Sequence, residues 1–187
     1  YIFFRSPRGK VASHSARSIF GRRKKSIPLR ILGVRKANVM SRKKVVDLSS
    51  ARSFRYRKTL AKIARDGKCP FCPGNFLEKN SRVIKRVDGW FLVHNFQPYA
   101  NARVHLLLVP TRHLERFSEL SASDFASITR LVDWATTQFR VRGGAFLMRF
   151  GSTKYTGATV CHLHAHLVAP KYSFKTKRAK VVQFPVG

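Results

Sequence analysis

Twelve residues near the end of the chain, Gly157-Ala158-Thr159-Val160-Cys161-His162-Leu163-His164-Ala165-His166-Leu167-Val168, restrict what the whole can fold into. Three of the seven histidines alternate here with small or apolar residues. Side chains alternate across a β-strand, so a strand puts His162, His164 and His166 on one face and buries the other. One histidine there would be an ordinary polar face; three in register point to function. Imidazole titrates near neutrality, and its ring nitrogen can attack phosphorus or bind a metal. The row therefore predicts phosphoryl or nucleotidyl chemistry, or a metal site.

The segments upstream supply a sheet for that strand. Residues 82–87 and 90–95 are β-rich runs separated by Asp88-Gly89, a two-residue hairpin signal. Residues 104–110 read as a buried strand ending in Thr111-Arg112-His113, with His113 read as structural. Ser121 to Asp124 form an N-cap and first turn, and Phe125, Ile128, Leu131, Val132, Ala135 and Phe139 recur at helical spacing. Residues 145–150 are a further strand, and 181–185 a last strand or a docking tail. The expected fold is α+β: about five antiparallel strands and one main helix over residues 69–170. No apolar run approaches eighteen residues, so no membrane span is expected.

Cys69-Pro70-Phe71-Cys72-Pro73-Gly74-Asn75 is a compact Cys-x-x-Cys turn. Three cysteines are too few for a disulfide framework. A redox pair sits at a helix start after a strand; this one follows a basic segment and precedes a turn. Two thiolates so spaced form one edge of a tetrahedral Zn²⁺ site, with Zn–S bonds of ~2.3 Å. With no second such pair, histidines from elsewhere complete the set.

His162 to Val168, preceded by Gly157-Ala158-Thr159-Val160, resembles the signature of histidine triad (HIT) nucleotide-binding proteins. The knuckle is similar to that of the zinc-bearing branch and of the related galactose-1-phosphate uridylyltransferases. The resemblance covers about a hundred residues and implies zinc held by Cys69, Cys72, His105 and His162. It makes His164 the nucleophile toward an α-phosphorus and His166 the group that orients the phosphate and helps protonate the leaving group. Asn95 falls where the family holds the ribose, and Thr159 where a hydroxyl meets phosphate. Three departures stand out. Val104 replaces a glycine, Ala158 replaces a glutamine, and no Asn lies between Arg149 and His162. The last two remove phosphate ligands, so the expected turnover is weak or absent.

Charge then orders the functional readings. The net charge is +30, and residues 1–68 hold 21 of the 38 Lys+Arg but 2 of the 8 Asp+Glu. Such an imbalance calls for a polyanion, usually nucleic acid. The expected organisation is a basic arm over 1–68 with a short helix near 50–65, a HIT-like domain over 69–170, and a basic tail over 171–187. That helix is expected to be capped at Leu48-Ser49-Ser50 and ended by Asp66-Gly67. Candidate RNA contacts are Arg22, Arg23, Lys24, Lys25, Arg42, Lys43, Lys44, Arg55, Arg57 and Lys58. The Arg/Ser-rich, acid-poor beginning at Tyr1 resembles the remnant of a mitochondrial targeting segment. The preferred reading is a structural subunit of a large ribonucleoprotein, a mitochondrial ribosome, contacting ribosomal RNA and neighbouring ribosomal proteins, with a nucleotide as a further ligand. The alternative is a HIT-class nucleotide hydrolase or transferase working through a nucleotidyl-histidine. A third reading, repair of adenylated nucleic-acid ends, calls for base-stacking wedges that the sequence does not display.

Overall fold

In the computed structural model, which describes residues 44–186, a five-stranded antiparallel sheet carries helices on both faces. Its strands run in the order β1 (Val83–Val87), β2 (Trp90–His94), β3 (Ala102–Pro110), β5 (His164–Pro170), β4 (Ala145–Arg149). The β1–β2 turn has both central residues at positive φ, Asp88 at 36° and Gly89 at 77°. Those angles match the right-handed twist of a tight hairpin.

The main helix, α3 (Ala122–Gln138), covers one face of the sheet. Ser121 and Asp124 form a reciprocal capping box at its start. Ile128, Leu131 and Ala135 bury against Trp90, Leu92, Leu106, Leu108, Ala165 and Leu167. Asp124 also ties the helix to the sheet. Its carboxylate accepts from Trp90 Nε1 at 2.8 Å and from two Arg112 nitrogens at 2.9 and 2.5 Å.

The other face is covered by α1 (Phe54–Asp66) and the cysteine knuckle, which runs into α2 (Phe76–Asn80). Leu60 and Ile63 of α1 pack with Phe71, Phe91, Val93, Leu107 and Val109, each contributing ~1.5–3 kcal/mol if fully buried. Sequence reasoning left this face of β5 open. In the structure, residues 164–169 are buried throughout, and Phe71 packs on His162 and His164 while Tyr99 packs on His166. Residues 44–68 thus belong to the folded body rather than to an arm. Val46 bridges Val160, and the Asp47 amide donates to Thr159 O at 2.9 Å.

Ser53 caps α1, and Gly67, at φ 67°, ends it. The cap expected at 48–50 is instead a turn, because the Ser49 amide and hydroxyl both bond the Asp47 carboxylate. The chain closes with a small hairpin of β6 (Tyr172–Ser173) and β7 (Arg178–Ala179), preceded in the sequence by the short α4 (Thr153–Thr156) before β5. Residues 181–185 form no strand and dock: Asn101 Nδ2 donates to Val181 O at 2.9 Å, and Arg149 to Pro185 O. Among the described residues no helix is long and apolar enough to cross a membrane. Arg22, Arg23, Lys24, Lys25, Arg42 and Lys43 lie outside the described residues. Lys44 pairs with Asp47 at 2.7 Å, while Arg55, Arg57 and Lys58 are exposed on α1.

Candidate functional site

Two chemically distinct centres share the triad. The first gathers Cys69, Cys72, His113 and His162, whose ligand atoms all lie within 4.8 Å of one another. The knuckle holds its shape through Leu77 N–H donating to Pro70 O at 2.8 Å and Asn75 Nδ2 donating to Cys69 O at 2.9 Å. His162 Nδ1 lies 3.3 Å from Cys69 Sγ and 3.7 Å from Cys72 Sγ, and His113 Nδ1 lies 3.5 Å from Cys72 Sγ. A tetrahedral ion with ordinary Zn–S and Zn–N bonds places S and N ~3.6 Å apart. Each ring is held by its far nitrogen: His162 Nε2 donates to Pro110 O at 3.1 Å and His113 Nε2 to Glu115 at 3.0 Å. Both Nδ1 lone pairs are thereby turned inward, as outer-shell partners of metal-bound histidines commonly arrange. Burial pushes the Cys69 thiol up to about 12, so a thiolate there calls for a cation beside it. The four residues could hold a metal ion.

His105 is not part of this set. The β3–β5 register pairs His105 with Val168, six residues along the chain from His162, or roughly 20 Å in extended backbone. The antiparallel register carries the end of β3 toward His162, and His113 follows that end. The signal lay in the pairing direction: a histidine after the strand's last residue meets the first triad histidine, whereas one near its start meets the last.

His105 belongs to the second centre, which is built on β5. The Tyr99 amide donates to His105 Nδ1 at 3.0 Å, so His105 Nε2 bears the proton and donates to His166 Nδ1 at 2.9 Å. That leaves the His166 proton on Nε2, a buried nitrogen with no partner. Asn95 accepts the Gln97 amide on Oδ1 at 2.9 Å, and its Nδ2 lies against the His105 ring, 2.9 Å from Nε2 and 3.4 Å from Nδ1. His164 Nδ1 donates to the His162 carbonyl at 2.8 Å, which leaves the Nε2 lone pair available. Phe71 packs edge-on to the His164 ring at 4.9 Å.

Burial, then the charge of Arg149, lowers His164 to about 4. Burial also lowers His105 to about 4, helped by Arg52 and Arg149, and takes His166 well below its ordinary value. All three rings are therefore neutral near pH 7.

A cavity of about 350 Å³ opens onto His164 and His166, lined by Asn95, Thr159, Tyr56, Arg52, Arg149 and Lys154 among others, with no carboxylate. Thr159 Oγ1 is 2.7 Å from Tyr56 Oη. Arg149, the cross-strand partner of His164, donates to Tyr99 Oη at 2.9 Å, while its buried Nε has no partner. Two unpartnered buried donors and three cations around neutral imidazoles suit an anion. Sequence reasoning missed Arg52, Tyr56, Tyr99 and Arg149. The first two precede the knuckle, and only the packing of α1 brings them over the triad. Arg149 could have been found from its place on the strand beside β5.

A family model described as the HIT domain matches residues 77–173. Two curated relatives, each described as an uncharacterized HIT-like protein, come from Chlamydia muridarum and Chlamydia trachomatis. Each is 26% identical over 100 residues, spanning 52% of this chain and 70% and 79% of the relatives respectively. A solved HIT family hydrolase from Clostridium thermocellum is 22% identical over 50% of this chain and 83% of its own, with a TM-score of 0.43. A histidine triad nucleotide-binding protein from Candida albicans is 18% identical over 57% and 76%, also at 0.43.

Proposed function

The chain belongs to the HIT domain family, and from that membership we propose that it is a nucleotide hydrolase or transferase working through a nucleotidyl-histidine. The observation that carries this reading is the tautomer of His164: its Nδ1–H is committed to the His162 carbonyl, which leaves the Nε2 lone pair available on a ring that lines a cationic cavity. A nitrogen with a free lone pair attacks phosphorus without first surrendering a proton.

His164 Nε2 forms the bond to the α-phosphorus as the bond to the leaving group breaks with its electron pair. The leaving group takes its proton through His166 Nε2. A water oxygen then attacks the phosphorus, the P–N bond breaks, and the proton of that water restores His166. The products are a nucleoside monophosphate and the protonated leaving group. Asn95, in the cavity wall, is placed to bind the ribose. Thr159, anchored by Tyr56, offers its hydroxyl to a phosphate oxygen. Arg149 and Lys154 supply the charge that Ala158 and the missing amide do not, so measurable rather than absent turnover is expected. Nucleoside phosphoramidates and dinucleoside polyphosphates are the substrates to assay, with His164→Ala as control. Hydrolysis surviving that change would overturn the reading.

The donor set of two thiolates and two imidazoles suits Zn²⁺ in a closed shell, where the ion fixes the knuckle against the strand end and takes no part in the chemistry. Metal analysis of the purified chain is expected to give one zinc, lost in Cys69→Ser.

A second reading, association with RNA in a mitochondrial ribosome, rests on the +30 charge. A pocket for one nucleotide needs only a few cations. About ten phosphate contacts would give a slope near −9 for log K against log[salt] on a duplex. Co-sedimentation of the native assembly with ribosomal RNA through high salt tests it; release as a free monomer at low salt argues against it.

A further inference from the structure

We propose that the cleft between α1 and α2 binds the backbone of single-stranded nucleic acid. This surface lies on the far part of α1 and does not depend on the chemistry of the triad. The cleft has a volume of about 800 Å³ and is lined by Lys58, Lys62, Lys68 and Lys79 together with Thr59, Asn75, Phe76 and Asn80; Asp66 is its one acidic residue. The four lysines are exposed, and none has an ion pair among the described residues.

Helical spacing makes the positive charge a row. Lys58 and Lys62 stand four residues apart, ~6 Å along the axis. Arg55 and Arg65 continue the same side at intervals of three. Four unpaired ammonium groups around one concavity repel one another, and a polyanion removes that cost.

Aromatic side chains beside the row favour unpaired bases over a duplex. Phe54 is 74% exposed with Lys58 Nζ 4.6 Å from its ring centre. Phe76, in the cleft wall, meets the exposed Phe96 edge-on at 6.3 Å. A cationic groove with aromatic faces is how proteins hold single strands with little sequence preference. A duplex keeps its bases stacked and offers such rings nothing.

The test is fluorescence anisotropy of the full chain with a labelled oligouridine of about 12 nucleotides, a length within the range such grooves cover, titrated at several salt concentrations. Two lost contacts at ~0.7 each make the salt slope shallower by about 1.4 in Lys58→Ala/Lys62→Ala, and weaken binding about 25-fold at ~0.1 M salt. Phe54→Ala is expected to narrow the preference for single strand over duplex. His164→Ala is expected to bind as the parent does, which separates this site from the proposed catalytic one. Thermal melting of each variant controls for folding. An unchanged slope and affinity in the double lysine variant overturns the proposal. So does equal affinity for a duplex, or loss of polyglutamate binding in that variant while RNA binding stays intact.

Discussion

A neutral imidazole has one donor and one acceptor, and at His105, His164 and His166 the neighbouring groups decide which nitrogen is which. A backbone amide, from Tyr99, fixes His105; a backbone carbonyl, of His162, fixes His164; His166 inherits its tautomer from His105. Replacing His105 with Phe keeps the ring but removes the donor to His166, and turnover is expected to fall while the fold persists, as read by steady-state kinetics beside circular dichroism. Arg149→Ala deletes a cation from the cavity wall. Loss of one aimed donor typically costs ~2.7–4 kcal/mol in the transition state, so kcat is expected to drop about 10²–10³-fold, with partial return in Arg149→Lys. That His164 and His166 stand together on the triad strand was legible in the sequence, because alternation in a strand is a strong local signal. The places of His105 and His113 were exchanged, because both follow from a register that no local pattern prints.

At the level of elements, sequence patterning found the hairpin, the main helix and the triad strand, each specified by its own turn or cap chemistry. It missed that α1 closes the second face. Its apolar stripe is only Tyr56, Leu60 and Ile63 among many cations, and its burial depends on a sheet that forms from distant residues. Two carboxylates hold these elements together. Burial alone would raise Asp124, but hydrogen bonds from Arg112, Ser121 and Trp90 outweigh it and hold the carboxyl below its ordinary range. Asp47 is held low in the same way by Lys44, Ser49 and Thr153. Removing Asp124 leaves the buried Trp90 Nε1–H without its acceptor, which costs ~1–3 kcal/mol. Asp124→Ala is therefore expected to lower the unfolding free energy, read from urea denaturation, by an amount in that range. Gly144→Ala is expected to destabilise as well, because an added Cβ would collide with the Val168 carbonyl across the β4–β5 edge.

For the whole molecule, these groups set the response to acid. His105, at about 4 when folded, binds protons more weakly folded than unfolded, as does His166. Between about pH 6.5 and 4 the unfolded state therefore takes up more protons, and stability falls as the pH drops through that window. Below the ordinary carboxylate pKa of ~3.9, Asp47 and Asp124 add a second loss. Chemical denaturation across pH should show both phases, the first reduced in His105→Phe. The charge that suggests a polyanion partner is concentrated in residues 1–68, which hold 21 of the 38 Lys+Arg, and its partner could not be read from composition.

The central claim is that His164 Nε2 becomes bonded to phosphorus. Rapid denaturing quench at alkaline pH, where a P–N bond to histidine survives, after mixing the chain with a nucleoside phosphoramidate, followed by intact-mass and peptide analysis, tests it directly. The account predicts a transient nucleotidyl adduct on the peptide containing His164, absent from His164→Ala. Product released by the parent chain with no adduct at any quench time, or an adduct that persists in His164→Ala, would contradict it.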